Sequence, residues 1–232
     1  SDFEGPINFT FGGFYADSNF TFNTDSHNVY FGYDAVRHTY VSFSRDDGFQ
    51  GDSFSVFAQA TLKPIPTIEL SGGARYSMDK RISFQQSLPG AVTAANAVFP
   101  QNVRFDDNFN DTNLSPEVTL SWRPSTDITL YAAYKQGYKS GGFNLSQTIT
   151  AAASLRAGQF KSETAEGWEV GAHAVLADRQ LRINAAVYDY DYTNLQVQFF
   201  DPISTGQIVA NAGGLRTKGI EVDFNFNPRA LR

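Results

Sequence analysis

Cysteine is absent from the 232 residues of this chain, and methionine occurs once. Without cysteine, disulfide bonds and thiolate metal sites are excluded. No stretch approaches the roughly 20 consecutive apolar residues that a membrane-spanning helix needs, so any membrane role must use strands or surface attachment. The net charge of −6 is spread along the chain without a basic stripe, which argues against binding to nucleic acid.

Aromatic residues, in contrast, make up 15% of the chain, with 21 Phe and 11 Tyr, as expected of a protein rich in strands. Apolar and polar residues alternate most clearly over residues 118–134, on both sides of a Pro-Ser-Thr-Asp turn. The apolar side of this segment is formed by Val118, Leu120, Trp122, Ile128, Leu130, Ala132 and Tyr134. A period of two about a short turn predicts an antiparallel hairpin with one apolar face.

Two further hairpins show the same alternation, with turns at residues 64–67 and 177–180. Flanking segments near residues 7–16 and 213–227 complete a set of about eight predicted strands, each joined to its neighbour in sequence. The connections at the other end, about residues 78–112, 139–162 and 195–210, are long and polar. Tight turns therefore alternate with long loops.

Two architectures bury one face of such strands: a soluble sandwich, and a membrane barrel whose apolar face meets lipid. Tight turns at one end and long loops at the other are typical of the barrel. The alternating runs also last about 9–11 residues, and aromatic residues gather near their ends. We therefore predict an all-β, antiparallel, up-and-down transmembrane β-barrel segment of about eight strands.

The chain resembles the barrel of TonB-dependent outer-membrane receptors in three segments that follow the expected order, residues 113–144, 162–197 and 211–228. Residues 53–81 resemble an earlier hairpin of the same barrel, so the resemblance covers about residues 50–228. It implies a receptor in the outer membrane of a Gram-negative bacterium, with no enzymatic activity and no cofactor. Such a receptor takes up a ferric siderophore or a similarly bulky nutrient with energy from the TonB complex.

A complete receptor of that family also has an N-terminal plug domain inside a barrel of about 22 strands. No plug-like segment precedes the strands here, and the last residues, NPRALR, do not end a strand on an aromatic residue. We therefore expect residues 1–232 to be one partial barrel domain whose terminal strands leave open edges. The first residues, SDFEGPINF, lack the basic and apolar segments of a signal peptide, so none is expected in this chain.

If the apolar face meets lipid, the alternate side chains line the lumen, where charge costs little. The charged residues expected there are Glu69, Arg75, Glu117, Lys135, Glu169, Arg182, Glu221 and Asp223. The resemblance implies that several of them contact the plug, although solvated or mutually paired side chains would explain the pattern equally well.

The resemblance places ligand capture in the extracellular loops and the upper lumen. The candidates there are Lys139, Phe143, Asn144, Tyr188, Tyr190, Tyr192, Phe199 and Phe200. Strict alternation turns Asp189 and Asp191 outward, unless they lie above the hydrocarbon or a bulge resets the strand. The three histidines are scattered, so no catalytic or metal-binding group is predicted.

Two other functions remain open from the residues alone. A free-standing eight-stranded barrel, acting as an adhesin or small pore, would close its own edges. A soluble β carbohydrate-binding module would instead pack the face of Val118, Leu120, Ile128 and Leu130 against protein.

Overall fold

A computed structural model describes residues 5–34, 38–88, 102–146, 155–201 and 206–228. Eight strands form the main sheet: β1 (Ile7–Asp34), β2 (Thr39–Ile65), β3 (Ile68–Ser87), β4 (Arg104–Ser125), β5 (Ile128–Lys139), β8 (Glu163–Leu176), β9 (Leu181–Thr193) and β12 (Leu215–Phe226). Two small sheets pair β6 (Gly142–Phe143) with β7 (Gln159–Phe160), and β10 (Gln196–Asp201) with β11 (Gly206–Asn211). A 3-10 turn, Leu155–Gly158, precedes β7. No helix in these described ranges is long and apolar enough to cross a membrane.

The main sheet follows the order β1-β2-β3-β4-β5-β8-β9-β12, and every neighbouring pair is antiparallel. Eight strands in an up-and-down order confirm the predicted fold class. Within the described part of the chain, β1 and β12 each pair on one edge only. The sheet is therefore an open segment of a barrel wall, as expected.

Three tight turns join strands at one end of the sheet, which we call the tight-turn end. The turn between β8 and β9 contains three residues with positive φ, Ala177, Asp178 and Arg179. In the β4–β5 hairpin the register shifts between Trp122 and Ser125, so Pro124 lies in an irregular part of the strand. Proline is tolerated there because such a position needs no ladder hydrogen bond from its nitrogen.

At the opposite end, which we call the long-loop end, the strands are much longer than the predicted 9–11 residues. Strand β1 has 28 residues and β2 has 27. Residues 78–87 and 104–112, which we predicted to be loop, continue β3 and β4 in unbroken register. Their polar side chains hide strand structure from a hydropathy pattern, because the backbone ladder forms whether or not a face is apolar.

Register assigns the two faces of the sheet. Large apolar side chains on one face are exposed, including Leu120 at 49% and Ile220 at 75%. The apolar residues of the described part that are fully buried are only Phe109, Ala133, Phe143 and Leu155. A face this wide and apolar with no protein over it contradicts a soluble sandwich and fits a surface in contact with lipid.

Candidate functional site

The polar face of the sheet carries the charged residues that the sequence assigned to the lumen. Cross-strand register puts Glu117 opposite Lys135 and Asp223 opposite Asn184. All eight predicted lumen residues lie on this face, opposite the exposed apolar one. At the tight-turn end Glu69 pairs with Arg123 at 3.0 Å and with Lys63 at 3.6 Å.

A concavity of about 640 Å³ lies on this polar face, towards the long-loop end. Its lining combines aromatic, charged and hydroxyl groups. It includes Phe14, Ser53, Ser55, Phe57, Arg75, Ser77, Asp79, Ser115, Glu117, Gln136, Tyr138 and Ser140. The guanidinium of Arg75 lies 6.0 Å from the centre of the Phe14 ring. A site of this kind suits a polar group larger than a single ion.

Two hydroxyl groups in the concavity differ in their hydrogen bonding. The hydroxyl of Tyr138 donates to Asp111 at 2.8 Å, and its burial and this carboxylate raise the pKa of the phenol. Ser55, in contrast, is only 2% exposed, and its hydroxyl has no hydrogen-bond partner in the part of the chain that the structure describes. A buried hydroxyl without a partner is unfavourable, so a group that entered the concavity could complete it.

The three predicted ligand-contact tyrosines of β9 lie on the polar face. Tyr188 is opposite Glu169, Tyr190 is opposite Gly167, and Tyr192 is opposite Ala165. The carboxylate of Glu169 accepts a hydrogen bond from Tyr131 at 2.7 Å, and Tyr131 stacks on His173 with ring centres 5.3 Å apart. The result is a patch of phenol and carboxylate groups on the inner wall.

Asp189 and Asp191 take the outward position, because β9 pairs with both neighbours without a register shift. Asp189 lies opposite Trp168 on the neighbouring strand β8. Asp189 pairs with Arg216 at 2.7 Å and with Lys218 at 3.1 Å. The Arg216 guanidinium holds the pKa of Asp189 well below its usual range. The register therefore excludes a bulge in β9, and the outward carboxylate of Asp189 is ion-paired.

The candidates in the long loops differ in accessibility. Phe143 is buried in a cluster with Phe109 and Leu155, and the ring centres of the two phenylalanines are 6.4 Å apart. The amide of Asn144 is bonded to backbone groups of Val209 and Gly158. Contact between these two side chains and a ligand would require the loop to move. Lys139, Phe199 and Phe200 are exposed, the last at 57%.

Sequence reasoning missed a buried polar group at the long-loop end. Asp47 is 0% exposed, and its carboxylate lies 2.9 Å from the guanidinium of Arg45. Arg45 donates to the carbonyl of Ser146 at 3.2 Å, and Gln85 donates to the carbonyl of Leu145 at 2.9 Å. These bonds attach the loop after β6 to the wall. Residues 45–50 read RDDGFQ, and this segment has no apolar alternation that would predict a strand.

Burial raises the pKa of Asp47 to about 7, against the opposing effect of Arg45. Between its ordinary pKa of 3.8 and this value the folded state keeps a proton that the unfolded state has lost. The free energy of local opening should therefore fall as pH rises from about 4 to 7. Hydrogen exchange of the backbone amides of residues 45–49, corrected for their intrinsic exchange rates, measures this free energy of local opening. The Asp47→Asn variant should lose this dependence, and a wild-type protein that became more protected as pH rose would contradict the prediction.

The chain is similar to known proteins in sequence and in structure. The family model of the TonB dependent receptor-like β-barrel matches residues 1–232. The pesticin receptor of Yersinia enterocolitica is 24% identical over 178 residues, which are 75% of this chain and 24% of that protein. The chain thus spans about a quarter of the length of this relative.

Two solved structures share the fold. The ferric yersiniabactin uptake receptor of Yersinia pestis superposes with a TM-score of 0.71 at 18% identity, covering 97% of this chain and 30% of that one. The ferric-catecholate import receptor of E. coli K12, in its closed form, gives a TM-score of 0.57 at 16% identity, covering 95% of this chain and 35% of that one. Both have about three times the length of the matched segment.

Proposed function

We propose, because the chain belongs to the TonB-dependent receptor β-barrel family, that it forms part of the wall of an outer-membrane receptor for a ferric siderophore or a similarly bulky nutrient. Uptake is driven by the TonB complex of a Gram-negative bacterium. The observation that carries this proposal is the continuous apolar face, exposed from Leu120 to Ile220, on a sheet whose other face is polar. Such a surface is stable in a bilayer and costly in water.

In this proposal the tight-turn end faces the periplasm and the long-loop end faces outward. The ring centres of Trp168 and Tyr134 are 4.9 Å apart. Trp168 lies opposite Asp189, which pairs with Arg216 and Lys218 in a charged rim. Aromatic rings next to charges at one level are typical of the boundary between hydrocarbon and head groups. The outer boundary of the membrane therefore lies at this level.

The remainder of the receptor supplies strands for the open edges of β1 and β12 and a plug for the lumen. The contacts that we assign to the plug are made by the inner-wall charges, with Arg75 and Ser55 in the concavity as the strongest candidates. Support comes from the buried hydroxyl of Ser55, which has no partner among the described residues, and from the guanidinium of Arg75, which lies over the ring of Phe14. A plug carbonyl or carboxylate would satisfy both groups.

Ligand capture is assigned to the long-loop end. The tyrosines of β9 and the exposed Phe199 and Phe200 offer stacking and phenol groups, and Lys139 offers a cation. Aromatic and cationic groups together suit an anionic iron complex whose ligand carries aromatic rings. The two structural neighbours are, by name, receptors for ferric yersiniabactin and for ferric catecholates.

The test is uptake by the full-length gene product in a strain without its own siderophore receptors. Radiolabelled ferric yersiniabactin and a ferric catecholate serve as probes, because the structural neighbours are named for them. We expect the protein in the outer-membrane fraction, and TonB-dependent accumulation of at least one probe or of another iron complex in a wider panel. Location elsewhere, or uptake that is unchanged when TonB is deleted, would overturn the proposal.

A photo-crosslinking arm tests the plug contacts in the same strain. A crosslinking residue in place of Ser115, which lines the concavity opposite Arg75, should yield an internal crosslink to the N-terminal part of the receptor. The same residue in place of outward-facing Val118 is the matched control and should yield none. Equal crosslinking at both positions would contradict the assignment of the two faces.

A further inference from the structure

Two segments meet at the long-loop end: the loop that follows β5, described at residues 140–146 and 155–162, and the β10–β11 hairpin, described at residues 196–201 and 206–211. Asn144 of the loop accepts a hydrogen bond from the backbone nitrogen of Val209 at 2.7 Å and donates to its carbonyl at 2.8 Å. Asn211 of the hairpin accepts from the backbone nitrogen of Lys161 at 2.7 Å and donates to its carbonyl at 3.0 Å. Each segment thus contributes one asparagine to the backbone of the other.

These four hydrogen bonds, which we call the amide clasp, have a simple chemical basis. A side-chain amide carries the same donor and acceptor as a peptide group, so it can add one rung to a strand edge. Asparagine and glutamine are the only side chains that carry an amide N–H and an amide C=O, as a peptide group does. An aspartate of the same shape has two acceptors and no donor, and its charge would face the carbonyl of Val209 or Lys161.

Further bonds extend the contact between the two segments. Gln196 donates to the carbonyls of Ser140 and Lys161, both at 3.1 Å. Its backbone nitrogen donates to Glu163 at 2.7 Å. On the other side of the loop, Arg45 and Gln85 bind the carbonyls of Ser146 and Leu145. The hairpin is therefore connected through the loop to the wall strands β2 and β3.

We propose that Asn144 and Asn211 are positioning residues that clasp the loop and the hairpin into a single ligand-receiving unit. In this unit the hairpin holds Phe199 and Phe200 at a fixed place over the mouth of the barrel. The role of the two phenylalanines as ligand contacts rests on the proposed function, whereas the clasp itself does not. Because the bonds are reciprocal, loss of either asparagine loosens both segments.

The experiment uses the full-length receptor in detergent, as wild type, Asn144→Asp, Asn211→Asp and the double variant. The matched control is Asn225→Asp, which makes the same chemical change at an exposed position of the tight-turn end. Hydrogen exchange is measured by mass spectrometry on peptides that cover residues 158–164 and 196–211. This readout needs no ligand, so it remains valid if the nutrient is never identified.

We expect each single variant to speed exchange about tenfold or more in both peptides, since two hydrogen bonds are lost and a carbonyl is left facing a charge. The double variant should add little to either single one, because the clasp opens as a unit. The control should match wild type. Exchange that changes only in the peptide carrying the substitution, or effects that add in the double variant, would overturn the proposal.

A second readout separates positioning from general stability. Once the uptake assay has identified a probe, each clasp variant should bind it more weakly by a similar factor, with an unchanged transition for thermal unfolding of the barrel. Asn144→Gln keeps both the donor and the acceptor and should recover part of the affinity. If the exchange results hold and affinity is unchanged, the clasp stands but Phe199 and Phe200 lose their assigned role, which would contradict the ligand-receiving unit.

Discussion

Replacement of Leu120 by arginine should greatly reduce the amount of folded receptor in the outer membrane. Leu120 lies on the apolar face of β4, between Leu70 and Ala132 on the neighbouring strands, and is 49% exposed. A guanidinium at the bilayer midplane costs about 2–4 kcal/mol, a large part of the stability of a typical domain. The fraction that migrates as folded protein on an unheated gel, and its unfolding by urea in a bilayer, measure the loss.

Ser121→Arg is the matched control for this substitution. Ser121 is the next residue of the same strand, but it lies on the polar face opposite Glu69. A guanidinium there meets water and a carboxylate, so stability should stay close to that of wild type. Two variants with equal losses, or a Leu120→Arg receptor as stable as wild type, would show that the apolar face does not meet lipid.

The second large effect is expected from Gly167→Ala in β8. A methyl group at this buried position would overlap the backbone oxygen of Asp189 and would lie 2.5 Å from the ring of Tyr190. The ring could move, but the backbone oxygen belongs to the β8–β9 ladder, so the strands must separate. Such overpacking costs about 1–3 kcal/mol, and urea unfolding of the full-length receptor should show it.

Gly72→Ala serves as the control for the glycine. It is also a strand glycine, but its nearest neighbour would be the backbone oxygen of Glu117 at 3.9 Å, an ordinary contact. Alanine there should be tolerated, or should stabilise slightly by restricting the unfolded chain. If Gly72→Ala were as damaging as Gly167→Ala, loss of glycine flexibility and not the close approach of β8 and β9 would explain the effect.

The sequence does not reveal which glycines of the sheet are crowded by a neighbouring strand. In the sequence Gly72 and Gly73 look equivalent, because they are adjacent residues of one predicted strand. In the structure only Gly73 is crowded, since a methyl group there would lie 2.9 Å from the backbone oxygen of Ala58. The difference depends on which residue the neighbouring strand brings opposite each glycine, and a single sequence does not contain that information.

The eight strands of the main sheet, their order and their apolar face were predictable from the sequence. Alternation with a period of two is a local property, because each strand places its own apolar side chains, such as Val118, Leu120 and Ile128, on one face. The tight turns carried their own local signals, such as Pro124 and Asp127. The predicted polar face likewise followed from alternation alone.

Tertiary structure alone decided the long-loop end. The polar extensions of β3 and β4 form because their backbones pair, although no apolar pattern marks them in the sequence. Asn144 and Val209 are 65 positions apart in sequence, and Arg45 and Ser146 are 101 apart. Hydrogen bonds between such distant groups leave no periodic trace, because each needs only one donor and one acceptor at the right place in space. The sequence by itself therefore determined the membrane-facing wall, and the folded chain determined how its loops are held over the lumen.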